Sequence, residues 1–560
     1  MLTSDQDNFI KMFERSFKEH WDLPAVTDYG TSVTLTYQQL AERVAIIHEV
    51  FKLAGLKKDD KVAIMGKNNS NWVATYMATV TYGAIVVPIL QDFKANDALH
   101  IINHSDAKLL FISDVIWEGL DIEEMKKIKA VYSLSDYHVL ASRLQKLNVN
   151  FVDMQELFKK VYPKGFSKKD VHYNKRSNAE VASINYTSGT TGFSKGVVTP
   201  CNALVGNILS FHAIGEAVNG MSTDARHVAF LPLAHAYGCA VDFLGVLAYG
   251  GHTFLVGRTP APKILLQAFA EVKPTNIIAV PLILEKIYKK LIVPQISKPS
   301  VRWALKVPFL SDAIMRKIRQ QLYDAFGGNF WQFIIGGAPL NAEVEEFLMR
   351  IKFPFAVGYG MTECAPLISF TASDSGYKPF SCGKVLKGME IKVVDPNDEG
   401  VGELWVRGEH VMLGYYKNAA ATHEVLTKDG WLKTGDLGYI DEDGFIFIKG
   451  RNKTMLLGPN GQNIYPEEIE AKLNNMPYVM ESLVIQHEDH LVALVCPDYE
   501  VAGQMTPTEL EAAMEENRKA LNNELAAYEQ ITKIKLYPHE FEKTPKKSIK
   551  RFLYTAMATD

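Results

Sequence analysis

The sequence predicts an α/β protein whose mostly parallel sheets are covered by helices on both faces. Two observations support this fold class: apolar β-branched runs recur along the chain, and amphipathic segments such as Leu40–Ala54 separate them. A strand that is buried on both faces has no polar side, so it forms a continuous apolar run. Such runs occur at Lys61–Met65, Lys108–Ile112, Val228–Leu231, Asn276–Val280 and Phe333–Ile335. Their alternation with helices is typical of α/β folds.

After about residue 380 the pattern changes to short strands of alternating polarity between Gly and Asp turns. Strands are predicted at Glu390–Val394, Gly402–Arg407 and Phe445–Ile448, the last of them after the turn Asp441–Gly444. We therefore expect an N-terminal domain over 1–451, with α/β subdomains to about 380 and a β-rich subdomain over about 381–450.

A small, mobile α+β domain is predicted over 452–560. The segment Gly450–Lys453 begins a different unit, and Tyr465–Glu470 has the features of a helix start. Pro466 stands near the first helical position, and two glutamates in the first turn suit the helix dipole. The remaining length of about 110 residues is enough for such a domain.

Length and composition bound the class of protein. At 560 residues the chain is too long for one core, and 47% apolar with 22% charged residues is ordinary for a soluble globular enzyme. A formal charge of -4 argues against a mainly nucleic-acid-binding role. The five cysteines lie far apart without metal-ligand spacing, which predicts reduced thiols and a cytoplasmic location.

Membrane and targeting segments are not expected. The first residues lack the basic and apolar regions of a signal peptide. The uncharged stretch Trp72–Leu90 is nearly long enough to cross a bilayer, but it contains Gly83 and Pro88. We predict a buried helix, a break at Gly83 and a strand over Ala84–Pro88 in place of a transmembrane helix. No basic amphipathic helix is evident in the sequence.

The densest local signal is Tyr186–Val197, which holds three glycines, six hydroxyl side chains including that of Tyr186, and one lysine. Glycines let backbone N–H groups approach an anion, and the hydroxyl groups and lysine add donors and positive charge. The run follows the apolar strand Val181–Asn185, so it has the build of a polyphosphate cradle. The candidate phosphate-binding residues are Thr187, Ser188, Gly189, Thr190, Thr191, Gly192 and Lys195.

This loop is not a Walker A motif, which needs four residues between its glycines and a hydroxyl residue after its lysine. Gly189 and Gly192 are three positions apart, and Gly196 follows Lys195. A plain glycine-rich turn is the alternative. The run resembles the phosphate loop of the adenylate-forming superfamily, which includes acyl-CoA synthetases, luciferases and the adenylation domains of peptide synthetases. The resemblance covers nearly the whole chain in motif order.

A second glycine motif, Gly336–Leu340, follows the predicted strand Phe333–Ile335 and precedes a predicted helix over Asn341–Leu348. Glycines at the carboxyl end of a strand let a flat base lie on the backbone, and ligands of open α/β sheets bind at such ends. A plain strand–helix turn is the alternative. The nucleotide-binding candidates here are Gly336, Gly337, Ala338 and Pro339.

The segment Val357–Glu363 matches the superfamily's Tyr-Gly-x-Thr-Glu motif. The resemblance implies that Tyr359 stacks on adenine, that Thr362 contacts the α-phosphate, and that Glu363 holds Mg²⁺ with Thr187. A carboxylate for a hard cation is chemically sensible beside a polyphosphate. The remaining nucleotide-binding candidates of the motif are Gly358, Gly360 and Met361.

Three more positions gain roles from the resemblance. In Trp431–Leu437, Asp436 would accept hydrogen bonds from both ribose hydroxyls, and Arg451 would reach the ribose side. Lys453 would be the hinge about which the C-terminal domain rotates. Exposed charges in turns or a linker are the alternative for all three.

The segment Leu231–Gly238 looks like the superfamily's motif near the acyl pocket. His235 would meet the substrate carboxylate or gate the pocket; a core histidine satisfied by backbone groups is the alternative. The segments Gly402–Gly408 and Val411–Lys417 complete the family pattern and are interpreted as structural.

The tail Glu542–Phe552 departs from the superfamily, which ends with a motif like Lys-Thr-Pro-x-Gly-Lys-Ile-x-Arg. The second lysine of that motif grips the carboxylate and α-phosphate, and Ser548 occupies its position here. Lys547 would substitute after a slip of one residue, and Lys550 is the next candidate. A solvated basic tail is the alternative. The choice matters because loss of a charge-stabilising donor typically lowers a rate by ~10²–10³.

The resemblance implies a two-step ligase that uses ATP, Mg²⁺ and coenzyme A. The segments Val280–Leu291 and Lys317–Gly328 resemble long-chain fatty acyl-CoA synthetases, so a medium- or long-chain fatty acid is the expected substrate. Their apolar residues would line an acyl tunnel or belong to the core. A fatty substrate would be compatible with peripheral membrane contact.

Two other functions stay open at this point. The first is an acyl-AMP ligase that loads the thiol of an acyl carrier protein. The second is a non-enzymatic nucleotide-binding relative, suggested by Ser548 alone.

Overall fold

The computed structural model describes residues 8–31, 33–187, 194–217, 223–257, 261–457, 462–487, 490–503, 505–544 and 548–558. Its strands are β1 (Pro24–Asp28), β2 (Val33–Thr36), β3 (Lys61–Met65), β4 (Ile85–Ile89), β5 (Ala107–Ile112), β6 (Ala130–Ser133), β7 (Val139–Ser142), β8 (Val181–Thr187), β9 (Lys195–Pro200), β10 (Arg226–Ala229), β11 (His252–Leu255), β12 (Asn276–Ala279), β13 (Gln332–Ile335), β14 (Phe355–Val357), β15 (Tyr359–Gly360), β16 (Leu367–Phe370), β17 (Lys384–Val385), β18 (Met389–Val394), β19 (Gly402–Gly408), β20 (Gly414–Tyr415), β21 (Leu432–Ile440), β22 (Ile446–Arg451), β23 (Leu456–Leu457), β24 (Asn463–Ile464), β25 (Val479–His487), β26 (His490–Pro497) and β27 (Ile531–Leu536).

Helices separate most of the strands. The α-helices are α1 (Phe9–Glu19), α2 (Tyr37–Leu53), α3 (Ser70–Tyr82), α4 (Ala95–Ser105), α5 (Asp114–Trp117), α6 (Phe151–Val161), α7 (Cys201–Ala217), α8 (Ala236–Gly238), α9 (Val246–Ala248), α10 (Pro262–Val272), α11 (Pro281–Ile287), α12 (Val293–Ile296), α13 (Pro299–Ala304), α14 (Pro308–Ala325), α15 (Ala342–Arg350), α16 (Ala419–Val425), α17 (Pro466–Leu473), α18 (Tyr499–Ala502) and α19 (Pro507–Asn522). A π-helical segment, Cys239–Gly245, joins α8 to α9.

The largest sheet has eight strands in the order β20-β9-β8-β4-β3-β5-β6-β7. Its centre is parallel from β8 to β6, and its edges are antiparallel. All five residues of β4 are buried, as expected for a strand with helices on both faces. Because β4 and β8 run parallel with Val86 opposite Ser183, the carboxyl ends of both strands lie at the same edge of the sheet.

A buried arginine fixes the opposite ends of the same two strands. Arg176 is 2% exposed and donates hydrogen bonds to the carbonyl oxygens of Ala84 at 2.9 Å and Val181 at 2.7 Å. It also pairs with the carboxylates of Asp59 and Glu180 at 3.3 Å. A buried charge needs such partners, so this network holds the start of β8 in register with β4.

Two further sheets position the nucleotide motifs. In the parallel sheet β12-β13-β14, the carboxyl ends of β13 and β14 lie side by side, with Ile335 opposite Val357. The motifs that begin at Gly336 and Gly358 directly follow these ends.

The antiparallel sheet β18-β19-β21-β22 is the β-rich unit predicted after residue 380. Its last strand extends to Arg451, beyond the predicted Phe445–Ile448, because it pairs along β21 as far as Asp436.

The apolar stretch at Trp72–Leu90 folds as predicted. It comprises most of α3, a left-handed turn at Gly83 with φ 94°, and β4. That conformation is accessible to glycine without a steric penalty, so the helix ends there. None of the helices within the described ranges is long and apolar enough to cross a membrane.

Residues after Arg451 build a separate hydrophobic cluster around Leu473, Val484 and Met514. The helices α17 and α19 pack on the sheet β25-β26-β27. This unit contacts the large N-terminal part through Lys289, which donates to the Asn474 carbonyl oxygen at 3.0 Å. The predicted α/β fold class, with a large N-terminal and a small C-terminal part, is confirmed.

Candidate active site

The candidate phosphate loop joins β8 to β9 at the carboxyl edge of the central sheet. Thr187 ends β8 opposite Lys195, and its hydroxyl group donates to the Lys195 carbonyl oxygen at 3.4 Å. The antiparallel pairing brings the two ends of the loop together, as a cradle between strands requires. Five predicted loop residues lie outside the described ranges: Ser188, Gly189, Thr190, Thr191 and Gly192.

Tyr415 lies between the phosphate loop and the candidate magnesium ligand. Its hydroxyl group donates to the Glu363 carboxylate at 2.9 Å, and its ring lies 5.0 Å from Lys195 Nζ. Tyr415 is held there because β20 pairs with β9, with Tyr415 opposite Val197. Burial, and then the charge of Glu363, raise the pKa of Tyr415, so the phenol stays protonated as a donor. In the sequence, Tyr415 is marked only as part of the Val411–Lys417 segment that was interpreted as structural.

The backbone fixes Glu363 as well. Glu363 lies in a short 3-10 helix, Thr362–Cys364, and its carbonyl oxygen accepts from Met412 N at 2.8 Å. The preceding residue, Thr362, is buried. The backbone contact and the Tyr415 hydrogen bond therefore orient the Glu363 carboxylate, which still has oxygen lone pairs for binding a cation.

The candidate nucleotide side is built from three residues that are far apart in the chain. The Tyr359 hydroxyl donates to the Asp436 carboxylate at 2.6 Å, and Arg451 Nε lies 3.0 Å from the same group. Asp436 is 3% exposed, whereas the Arg451 side chain is 65% exposed. Burial raises the pKa of Asp436, the positive charge of Arg451 lowers it, and the charge of Glu363 raises it further. The carboxylates of Asp436 and Glu363 are therefore close enough to belong to one site.

The two glycine motifs converge on this site. Gly358 N donates to the Ile335 carbonyl oxygen at 2.8 Å, which ties the Tyr359 motif to the end of β13. Gly336 packs under Tyr237, whose ring carbon Cζ would lie only 3.2 Å from a methyl group at that position. Gly337 has φ +87°, a conformation that favours glycine. Gly337, Ala338 and Pro339 are exposed, as a surface for a base requires.

His235 stands at the start of α8. Its Nδ1 accepts from the backbone N–H of Tyr237 at 3.2 Å, so the ring acts as a helix cap and the side chain stays half-buried. Tyr237 reaches the Gly336 motif, because its hydroxyl group donates to the Ile334 carbonyl oxygen at 3.3 Å. The backbone N–H of Tyr237 thus orients the ring of His235, beside the Gly336 motif that Tyr237 contacts.

Lys453 is exposed and lies two positions beyond Arg451, where the backbone leaves the β-rich sheet. Asn452 N still donates to the Gly435 carbonyl oxygen at 2.8 Å. Beyond it, Thr454 N bonds only to the adjacent turn, at Arg451 O. Lys453 therefore lies in the connection between the β-rich sheet and the C-terminal unit.

The C-terminal tail is held by a short backbone contact next to Ser548, the residue at which the sequence departs from the superfamily motif. Thr544 N donates to the Ser548 carbonyl oxygen at 2.8 Å, and Ser548 is exposed. Lys550 Nζ pairs with Glu542 at 2.6 Å, and Glu542 also lies 3.7 Å from Lys94 of the N-terminal part. Lys547 lies outside the described ranges.

The Glu542–Lys94 contact joins the tail to the N-terminal part. Lys94 precedes α4, in the segment that follows β4. Nothing in the local sequence marks Lys94, and it is not among the predicted site residues.

The donor set fits a magnesium ion that is bound mainly through a polyphosphate. Across the described part of the chain, no group of three or more His, Cys, Asp or Glu could hold a metal. Glu363 and the Thr187 hydroxyl would supply one or two oxygen ligands, and Mg²⁺ is usually bound by one or two carboxylates plus substrate phosphates and water.

Comparisons with known proteins agree with this geometry. The AMP-binding enzyme family matches residues 13–416, and the AMP-binding enzyme C-terminal domain matches residues 454–557. The long-chain-fatty-acid–CoA ligase ACSBG2 of Rattus norvegicus is 26% identical over 545 residues, covering 88% of this chain and 78% of the relative. The putative acyl-CoA synthetase YngI of Bacillus subtilis is 28% identical over 511 residues, covering 85% and 84%.

Solved structures show the same fold. ATP-bound MatB from Rhodopseudomonas palustris matches with a TM-score of 0.76 at 22% identity, over 99% of both chains. The anthranilate CoA ligase AuaEII, in complex with anthranoyl-AMP, matches with a TM-score of 0.77 at 20% identity, over 98% of this chain and 97% of that one. With both domains matched in order and the nucleotide motifs assembled in one place, the chain belongs to the AMP-binding enzyme family.

Proposed function

We propose that this chain is an AMP-forming acid–thiol ligase that activates a medium- or long-chain fatty acid and transfers it to coenzyme A. The main observation behind the proposal is that Tyr359, Asp436 and Glu363 lie in one site. The chain is also a member of the AMP-binding enzyme family. Two relatives named long-chain-fatty-acid–CoA ligases, ACSBG2 and FadD15, support the fatty acid. ATP, Mg²⁺ and coenzyme A are the cofactors of this reaction.

In the first step, a carboxylate oxygen of the acid attacks the α-phosphorus of ATP. A new P–O bond forms, the bond to the bridging oxygen breaks, and pyrophosphate leaves with the electron pair. Such a displacement depends mainly on positioning and charge neutralisation. Glu363 and Thr187 would hold Mg²⁺, which supplies neutralisation on the polyphosphate.

The nucleotide is oriented by this chain's own groups in that step. Tyr359 offers a ring for adenine, and Asp436 accepts from the ribose hydroxyls in place of its present Tyr359 and Arg451 partners. The Gly337–Pro339 surface supports the base. Lys195 and the loop that Thr187 opens neutralise the phosphates.

In the second step, the thiol sulfur of coenzyme A attacks the acyl carbon of acyl-AMP. A C–S bond forms, the C–O bond to AMP breaks, AMP leaves, and the thiol proton passes to solvent. His235 stands beside the acyl carbon in this proposal. Residues 452–560 act as a lid that rotates about Lys453, excluding water during adenylation and then admitting the thiol.

The tail supplies the cation of the first step through Lys547 or Lys550, since Ser548 cannot. Lys550 is neutralised by Glu542 in the present arrangement, so its use requires that this pair opens. We place the reaction in the cytoplasm, because the five cysteines are free and four of them are buried.

The test is AMP formation with Mg-ATP and coenzyme A across acids from acetate to oleate, together with aryl acids. A maximum at medium or long chains that depends on coenzyme A is the expected result. A maximum with an aryl acid would replace the fatty substrate. Turnover only with a phosphopantetheinylated carrier protein would replace the acceptor, and ATP binding without pyrophosphate release for any acid would overturn the ligase.

A further inference from the structure

The segment from α11 to α14 exposes large apolar side chains that no residue within the described ranges covers. Trp303 is 67% exposed and Phe309 is 76% exposed, and the neighbouring Leu310 is 38% exposed. The other six tryptophans of the chain are buried or half-buried. Isolated exposed apolar residues are ordinary, but here two large exposed aromatic residues lie within seven positions of the sequence.

Helix geometry places a basic side chain on the same face of α14 as Phe309. In α14, the buried residues Ser311, Met315, Ile318 and Leu322 point to the core. The exposed positions Phe309, Ala313, Arg316 and Gln320 follow the same helical spacing on the outer side. Phe309, at the start of α14, is therefore on the same side of the helix as Arg316, two turns further along.

The charge of the segment is unusual for this protein. Residues 281–320 contain nine Lys or Arg and two Asp or Glu, a net charge of +7, whereas the whole chain carries -4. Lys289 and Lys290 face the C-terminal unit, at Asn474 and Glu500. The other seven are exposed, and none of them forms an ion pair within the described ranges: Lys286, Lys298, Arg302, Lys306, Arg316, Lys317 and Arg319. We call the six from Lys298 onward, with Trp303, Phe309 and Leu310, the basic-aromatic face.

This combination selects one kind of partner. Tryptophan rings are favoured at the boundary of a bilayer, and Lys and Arg side chains beside them reach anionic headgroups. A second copy of the chain that met this face symmetrically would oppose like charges. Positive charge alone would suit nucleic acid, but it would leave the apolar side chains unexplained.

We propose that the basic-aromatic face docks the protein on the surface of a bilayer that contains anionic phospholipid. Trp303, Phe309 and Leu310 enter the headgroup region, and the basic residues around them bind lipid phosphates. The docking is interfacial and adds a membrane partner to the ligase proposed above; it does not depend on the ligase reaction.

The test is flotation of the full chain with phosphatidylcholine vesicles, with and without phosphatidylglycerol. We expect flotation with the mixed vesicles only, weakened by salt because exposed charges are screened. The double variants Trp303→Ser/Phe309→Ser and Arg302→Glu/Lys306→Glu should each lower the partition coefficient by roughly tenfold or more. Equal flotation of wild type and both variants, or none of the wild type, would overturn the proposal.

Matched controls come from other exposed surfaces. Val115→Ser/Val152→Ser removes two apolar side chains that are 79% and 64% exposed, and Lys168→Glu/Lys169→Glu reverses two exposed charges. Both controls should float like the wild type, and a loss equal to that of the test variants would count against a defined face. A dimer without vesicles that Trp303→Ser/Phe309→Ser converts to a monomer would assign the face to self-association instead. Binding of an oligonucleotide that Arg302→Glu/Lys306→Glu abolishes, without vesicle binding, would assign it to nucleic acid.

Discussion

The phenol of Tyr415 donates a hydrogen bond to the carboxylate of Glu363 at 2.9 Å. The same ring lies 5.0 Å from Lys195 Nζ, so one side chain connects the candidate magnesium ligand with the lysine of the phosphate loop. Tyr415 lies 52 positions from Glu363 in the chain, and the pairing of β20 with β9 brings the two together. We regard Tyr415 as a positioning residue for Glu363.

Tyr415→Phe should lower the rate of acid-dependent adenylation by about ten- to a hundredfold. A hydrogen bond to a charged group contributes about 1.5–3 kcal/mol, and each 1.4 kcal/mol is about tenfold. The apparent affinity for Mg²⁺ should fall with the rate, while the thermal stability changes little. Tyr162→Phe, at a half-buried ring among phenylalanines, is the matched control. Unchanged magnesium dependence in Tyr415→Phe would rule out the positioning role.

Asp436→Asn should raise the KM for ATP by about ten- to a hundredfold, because a charged acceptor for the ribose hydroxyls is lost. The fold should tolerate the change. Arg451 is 65% exposed and can be solvated without its partner, and a buried charge that the protein must desolvate is removed. Steady-state kinetics and thermal unfolding check both parts. An unchanged KM with impaired folding would show that Asp436 is structural.

Lys547→Ala or Lys550→Ala should impair adenylation by about 10²–10³, because a donor that stabilises charge in the transition state is removed. Thioester formation from supplied acyl-AMP should be affected much less. The two half-reactions are measured separately, as pyrophosphate exchange and as thioester formation. Lys546→Ala, a change of equal charge at the position before Lys547, serves as the control. Equal loss of both half-reactions would count against either lysine.

The pH dependence of stability should report on Glu470. Burial raises the pKa of this carboxyl group from 4.5 to about 7, against the lowering effect of Arg551. The folded state therefore binds the proton more tightly than the unfolded state. The resulting stabilisation is present below pH 4.5 and is lost as the pH rises to about 7.

Over that window, the free energy of unfolding of the C-terminal unit should fall by on the order of 3 kcal/mol. Glu470→Gln should remove this part of the slope. Denaturant unfolding of wild type and variant at about pH 5 and about pH 8 measures the difference. Parallel pH profiles of the two proteins would contradict the assignment to Glu470.

The sequence alone located most elements of the parallel core. The predicted strand Lys61–Met65 coincides with β3, and the turn at Gly83 separates α3 from β4 as expected. These predictions succeeded because a strand or a helix is defined by local apolar periodicity and by glycine's access to positive φ. The end of β22 was placed too early, because Arg451 joins the strand only through its pairing with Asp436.

The contacts within the candidate site could not be predicted from the sequence. The bond between Tyr359 and Asp436 spans 77 positions, and its geometry depends on two separate sheets. The alternative for His235 was a core histidine satisfied by backbone groups; the side chain is half-buried, and its Nδ1 accepts from the backbone N–H of Tyr237 as a cap on α8. The basic-aromatic face was not evident either, because its residues are distributed over α13, α14 and the positions beside these two helices.

Acid-dependent exchange of pyrophosphate into ATP, measured for wild type and Glu363→Ala, tests the central claim most directly. We predict exchange with a medium- or long-chain fatty acid and Mg²⁺, and its loss by ~10² or more in a Glu363→Ala protein of unchanged fold. Glu424→Ala, at an exposed acid on α16, should keep the exchange. Absence of exchange with any acid in the wild type, or wild-type exchange in Glu363→Ala, would contradict the account.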